Sequence, residues 1–134
     1  MRQCSTILIT LCTLPLAGCA VFEALGGMPS ARASFNTPPA TTSSAVLDCA
    51  AASVIALNKL DSWWRTDVTT RDDAQGVLET GHYSESNVAG QRVRIQYNQG
   101  QQQVRMHLKG GGPYYHDLGV KAGMAALESK MKAC

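Results

Sequence analysis

Apolar and polar positions alternate or recur with two distinct periods in residues 45–134, and each period predicts an element. Across residues 45–60 (AVLDCAAASVIALNKL), Leu47, Ala50, Val54 and Leu57 form one stripe, with Cys49, Ala52, Ala56 and Leu60 beside it. Such spacing predicts a helix with a wide apolar face. Ser43 or Ser44 is placed to cap it, and Asp48 sits towards its positive end. Near the other terminus, Val120, Met124, Leu127, Met131 and Cys134 recur at steps of four and three, which predicts a second helix starting near Asp117. Lys130 and Lys132 suit its negative end.

Between the helices the period drops to two. Val93, Ile95 and Tyr97 alternate with Arg92, Arg94 and Gln96, and Val104, Met106 and Leu108 alternate with Gln103, Arg105, His107 and Lys109. The two runs flank Asn98-Gln99-Gly100-Gln101, so they predict an antiparallel hairpin with one dry and one wet face. Residues 63–68 are β-compatible, residues 69–76 read as a polar connection, and residues 77–83 alternate weakly. Trp63 and Trp64 are adjacent, so on an extended chain one enters the core and the other faces outward. The expected fold is α+β, with an N-terminal and a C-terminal helix packed antiparallel on the dry face of a three- or four-stranded antiparallel sheet.

The first 43 residues follow neither period. Met1-Arg2 is followed by the uncharged apolar stretch 5–16 (STILITLCTLPL). About a dozen residues are too few to cross a ~30 Å hydrocarbon core, but they match the apolar region of an export signal. Leu16-Ala17-Gly18-Cys19 comes next. This segment resembles the lipobox of bacterial lipoproteins, in which small residues precede the cut and the cysteine thiol accepts a diacylglyceryl group. The resemblance implies a signal peptide over residues 1–18 and a covalent lipid on Cys19, with no other cofactor. Residue 20 is Ala rather than Asp, which in a Gram-negative envelope implies an outer-membrane anchor facing the periplasm. Residues 19–43, rich in Gly, Pro, Ser, Thr and Ala, then read as a lipidated cysteine and flexible stalk, leaving residues 44–134 as the domain.

That cleavage alters the cysteine inventory. Cys4 and Cys12 leave with the signal and Cys19 is consumed by lipid, so Cys49 and Cys134 remain in an oxidising compartment and are expected to pair. Pairing requires the start of the first helix and the end of the second to lie within ~7 Å, which clamps the two helices.

Charge and candidate chemistry add less. The 134-residue chain has a net charge of +2, which implies no nucleic-acid partner. His82, His107 and His116 lack metal-ligand spacing, and no nucleophile–base set stands out, so neither a metal site nor an enzyme is expected. The run 110–116 (GGGPYYH) reads foremost as a strand-to-helix turn, with anion binding as the rival reading. Arg92, Arg94, Arg105 and Lys109 share the wet face of the hairpin. They either meet an anionic envelope ligand or a partner, or are neutralised internally by Asp61, Asp67, Asp72, Asp73, Glu79 and Glu85; neutralisation is the weightier reading. The expected function is a non-enzymatic, membrane-anchored lipoprotein supporting an envelope or secretion assembly through protein contacts. The rivals are an anionic-ligand module on the basic face and an inhibitor of an exogenous hydrolase that inserts loop 84–90.

Overall fold

The computed structural model describes residues 27–86, 88–111 and 118–134. The expected signal segment, Cys19, the first part of the stalk, most of the 110–116 run and Asp117 lie outside these residues. The element order is β1 (Ser30–Asn36), α1 (Ser43–Asn58), β2 (Val68–Asp72), β3 (Val77–Thr80), β4 (Gly90–Asn98), β5 (Gln103–Gly111) and α2 (Val120–Lys132). The strands form one antiparallel sheet in the order β1-β5-β4-β3-β2.

The hairpin is where the alternation places it. Val93 pairs with Leu108, Ile95 with Met106 and Tyr97 with Val104, and all six are buried. They join a single core cluster with Leu47, Ala50, Val54 and Leu57 of α1 and Val120, Met124, Leu127 and Met131 of α2. The helix α1 lies against β3 and β4, α2 lies against β1 and β5, and the helices touch each other. Cys49 and Cys134 form a disulfide with their Cα atoms 6.2 Å apart. Trp64 is in the core at 4% exposure, whereas Trp63 is half exposed, as their adjacency requires.

The sheet has five strands rather than three or four: two unpredicted edge strands appear, while the expected strand at 63–68 is reduced to an isolated bridge between Trp64 and Gln91, with Val68 opening β2. β1 occupies residues assigned to the stalk, pairing with β5 from Ser30↔Lys109 to Asn36↔Gln103. Its inward residues are Ala31, Ala33 and Phe35, so two of the three are too small to register as an apolar alternation. β2 lies in the expected polar connection and is exposed along its whole length, leaving no burial pattern to read. Gly76, at φ +65°, turns β2 into β3; a Cβ there would meet the Tyr97 carbonyl oxygen at 2.3 Å.

Helix ends also differ. α1 starts two residues before the expected boundary, and Thr42 is its cap, its hydroxyl accepting from the Ala45 N–H at 3.3 Å. α2 begins after Gly119, whose left-handed backbone (φ 71°) turns the chain into the helix without a side-chain cap.

Candidate functional site

Strand alternation sends every second residue of β1, β5, β4 and β3 to the sheet face opposite the core. The register then arranges these residues in cross-strand rows. One row runs Arg32–His107–Arg94–Glu79, through the pairs Arg32↔His107, Arg94↔His107 and Glu79↔Arg94. The next runs Ser34–Arg105–Gln96. His107 stands between Arg32 and Arg94, and Arg105 is diagonal to both, a separation of ~7–8 Å that long side chains span, so the three guanidiniums can reach one groove although no two are directly opposed. Together Arg32, Ser34, Arg94, Gln96, Arg105 and His107 line an open groove of about 460 Å³.

Compensation within the groove is partial. Glu79, 8% exposed, forms an ion pair with Arg94 at 3.1 Å and accepts from the Thr70 hydroxyl at 3.1 Å. Arg105 engages only a neutral group, its Nε donating to the Gln103 amide oxygen at 3.0 Å. Arg32 is exposed and has no ion pair among the described residues. The other acids named as possible neutralisers serve elsewhere. Glu85 lies 3.5 Å from His82 Nδ1, Asp61 and Asp72 accept from the backbone N–H groups of Trp63 and Gln75, and Asp67 binds Arg65 as Asp73 binds Arg71. Those pairings hold Asp67 and Asp73 below the ordinary carboxylate range.

The remaining cations of the expected wet face are withdrawn. Arg92 is on that face by parity yet fully buried. Its Nη1 donates to the carbonyls of His82 (3.2 Å) and Glu85 (2.6 Å), and Nη2 contacts the Met28 sulfur at 2.6 Å. Burial pushes its pKa down, since all three partners are uncharged. Arg92 therefore pins the loop that follows β3 onto the sheet and presents nothing to a ligand. Gly81 makes this closure possible: at φ +64°, a Cβ there would lie 2.8 Å from Arg92 Cγ and 2.6 Å from Arg65 Cβ. Within the segment expected to protrude as an inhibitory loop, Ser84, Glu85 and Ser86 are exposed, but Glu85 is held through its carbonyl and the preceding Tyr83 is buried. Lys109 lies over the Tyr83 ring at 4.3 Å and donates to the Tyr83 carbonyl at 3.2 Å, outside the groove lining.

Tyr83 also holds His107, which lines the groove. Its hydroxyl is hydrogen-bonded to His107 Nδ1, and the rings meet edge to face at 5.7 Å. Burial pushes the Tyr83 pKa up to about 12, so the phenol keeps its proton at neutral pH. His107 is shifted the other way, by burial first and then by Arg32, Lys109 and Arg94, all cations. Its Nε2 is buried and without a hydrogen-bond partner among the described residues.

Of the four basic residues singled out from sequence, the structure thus brings Arg94 and Arg105 into the groove and removes Arg92 and Lys109 from it. It adds Arg32, which sequence reasoning missed because its strand was read as stalk. A pattern of Ala31, Ala33 and Phe35 alternating with Arg32 and Ser34 was the available signal. Among the described residues no cluster of metal-ligating side chains occurs, and no helix is long and apolar enough to cross a membrane. No protein-family model, curated protein or solved structure matches the chain.

Proposed function

We propose that this protein is a lipid-anchored outer-membrane lipoprotein whose domain binds an anionic envelope component through the open sheet face. The observation that carries the reading is the charge of the groove: Arg32, Arg94 and Arg105 converge from three strands against a single carboxylate among the described residues, Glu79. Like charges gathered at diagonal positions of neighbouring strands repel one another. A bound anion converts that repulsion into affinity, and the cations sit where a ligand reaches them. Binding rather than catalysis fits the imidazole, whose partner is the Tyr83 hydroxyl and not a serine or a thiol. Lipid on Cys19 would hold this face near the membrane, within reach of headgroups and lipopolysaccharide.

The test uses the full chain. Metabolic labelling with a fatty acid should mark the wild type and leave Cys19→Ser unlabelled. Binding to lipopolysaccharide should weaken with added salt, because screening shortens to ~3 Å at 1 M ionic strength. It should be lost in Arg32→Glu/Arg105→Glu, two exposed positions whose change leaves the core intact. Salt-insensitive binding, or equal binding by the double variant, would refute the groove.

A second reading, protein contacts in an envelope or secretion assembly, is favoured by a different surface. Leu60 is 79% exposed and Trp63 50% exposed, three residues apart just after α1. Tryptophan is among the residues that most often anchor partner contacts. Cross-linking in intact cells, compared between the wild type and Leu60→Ser/Trp63→Ser, distinguishes this surface from the groove.

A further inference from the structure

We infer that the groove takes a phosphomonoester in its dianionic form, gripped by Arg32, Arg94 and Arg105, with neutral His107 donating a fourth hydrogen bond through Nε2–H. The inference rests on the anion-binding reading above and specifies which anion. Its first support is charge. Three guanidiniums face one carboxylate, so a single carboxylate or sulfate ester, each of charge −1, leaves the groove positive. A phosphomonoester carries nearly two negative charges above its second pKa of ~6 and closes the balance.

The second support is donor geometry. Arg94 Nε lies 3.1 Å from Glu79 Oε1 as an ion pair without a hydrogen bond's alignment, and Arg105 gives its Nε to Gln103. Their terminal nitrogens have no acceptor among the described residues, and neither has the guanidinium of Arg32. Three forked donors approaching from three adjacent strands suit an ion with three terminal oxygens better than a planar ion with two.

The third support is His107. Tyr83 keeps its proton, and His107 Nδ1 is the one acceptor its hydroxyl has among the described residues; donating there satisfies the phenol, and in that tautomer the ring's own proton sits on Nε2. That makes Nε2–H a buried donor without a partner, a feature with a real cost in a folded protein. Nε2 is out of contact with solvent, so an anion in the groove that His107 lines supplies the missing acceptor by displacing the side chains that cover it. The charged and titratable groups facing the ring are Arg32 from β1, Arg94 from β4, Arg105 and Lys109 from β5, and Tyr83 from the loop after β3; Glu79 of β3 lies beyond Arg94. With cations on both flanks, the ring donates as the neutral imidazole.

The experiment titrates the full-length chain at pH 8 and low salt with glycerol 3-phosphate, methyl sulfate and acetate, following the His107 ring nitrogens by NMR. Glycerol 3-phosphate should bind about tenfold or more tighter than either monoanion, as expected for one added charge-assisted contact. Its binding should move Nε2 while the ring stays neutral with Nδ1 as acceptor. His107→Phe should weaken it roughly fivefold, and Arg32→Gln or Arg105→Gln roughly tenfold each, with unchanged near-UV circular dichroism. Equal affinity for all three anions overturns the inference but leaves anion binding standing. So does a ring that carries its proton on Nδ1, or unaltered affinity in His107→Phe. No binding of any of the three overturns both. Vesicles of phosphatidylcholine with and without phosphatidic acid identify the source. Capture by phosphatidic acid assigns a lipid headgroup, and glycerol 3-phosphate binding without capture assigns a soluble ester.

Discussion

Breaking the bond between Cys49 and Cys134 should cost this domain a large part of its stability. The two cysteines are 85 residues apart, so the bridge constrains most of the unfolded chain. With that separation, the chain-entropy relation gives about 15 cal/mol/K, or about 4–5 kcal/mol at 25 °C. A domain of roughly 100 residues unfolds with an entropy near 0.2 kcal/mol/K, so the loss corresponds to a fall in Tm of about 20 °C. The native state offers little to offset it, because Cys134 is exposed and the helices already meet around the bridge. The assay compares thermal melts of the oxidised wild type, the reduced wild type and Cys49→Ala/Cys134→Ser. Reduced wild type and double variant should melt together, well below the oxidised protein. A drop below about 5 °C for both would refute the argument, since it would mean that the unfolded chain is already constrained without the bond.

Two further predictions concern the far side of the sheet. Arg92→Met keeps much of the buried volume but strands the carbonyls of His82 and Glu85; it should cost about 2–3 kcal/mol and speed hydrogen exchange in residues 81–86, with exchange unchanged in that loop as the refuting result. His107 gives the pH dependence: its folded pKa lies below the ordinary ~6.5, so as pH falls the unfolded chain takes up the proton first, and stability that is full above ~6.5 drains away below it. Urea midpoints at pH 7.5 and 5.5 should therefore differ more for the wild type than for His107→Gln. Asp67 and Asp73 do not confuse the comparison, because their lowered pKa values place their contribution below pH ~4.

What could be read from sequence follows physical rules. The hairpin and both helix stripes were legible because large apolar side chains mark most inward positions, among them Val93, Ile95, Val104 and Leu108 in the strands, and Leu47, Val54, Leu127 and Met131 in the helices. The disulfide was legible by elimination once three cysteines were assigned to the leader and anchor. The edge strands were not, for opposite reasons. β1 buries alanines, whose small side chains give a weak signal, while β2 buries nothing. Edge strands need only one neighbour's hydrogen bonds, so their side chains carry little of the pattern.

The candidate site exposes a deeper limit. Parity along a strand says which face a side chain takes, but not what covers that face. Arg92, Arg94, Arg105 and Lys109 were correctly set on one side, yet a loop anchored through Gly81 and Tyr83 closes over part of it. Beneath that loop Arg92 becomes an internal tie between backbone carbonyls, and Lys109 a lid on an aromatic ring. Beyond its edge, the same sheet face stays open, and there Arg94 and Arg105 are joined by Arg32 from the strand that composition concealed. A single sheet face is thus divided in two by one short loop. The covered half serves stability, and the open half carries more positive charge than the described residues neutralise. That division is why the proposed ligand is sought at Arg32, Arg94, Arg105 and His107, and why substitutions at Arg92 should report on folding instead of binding.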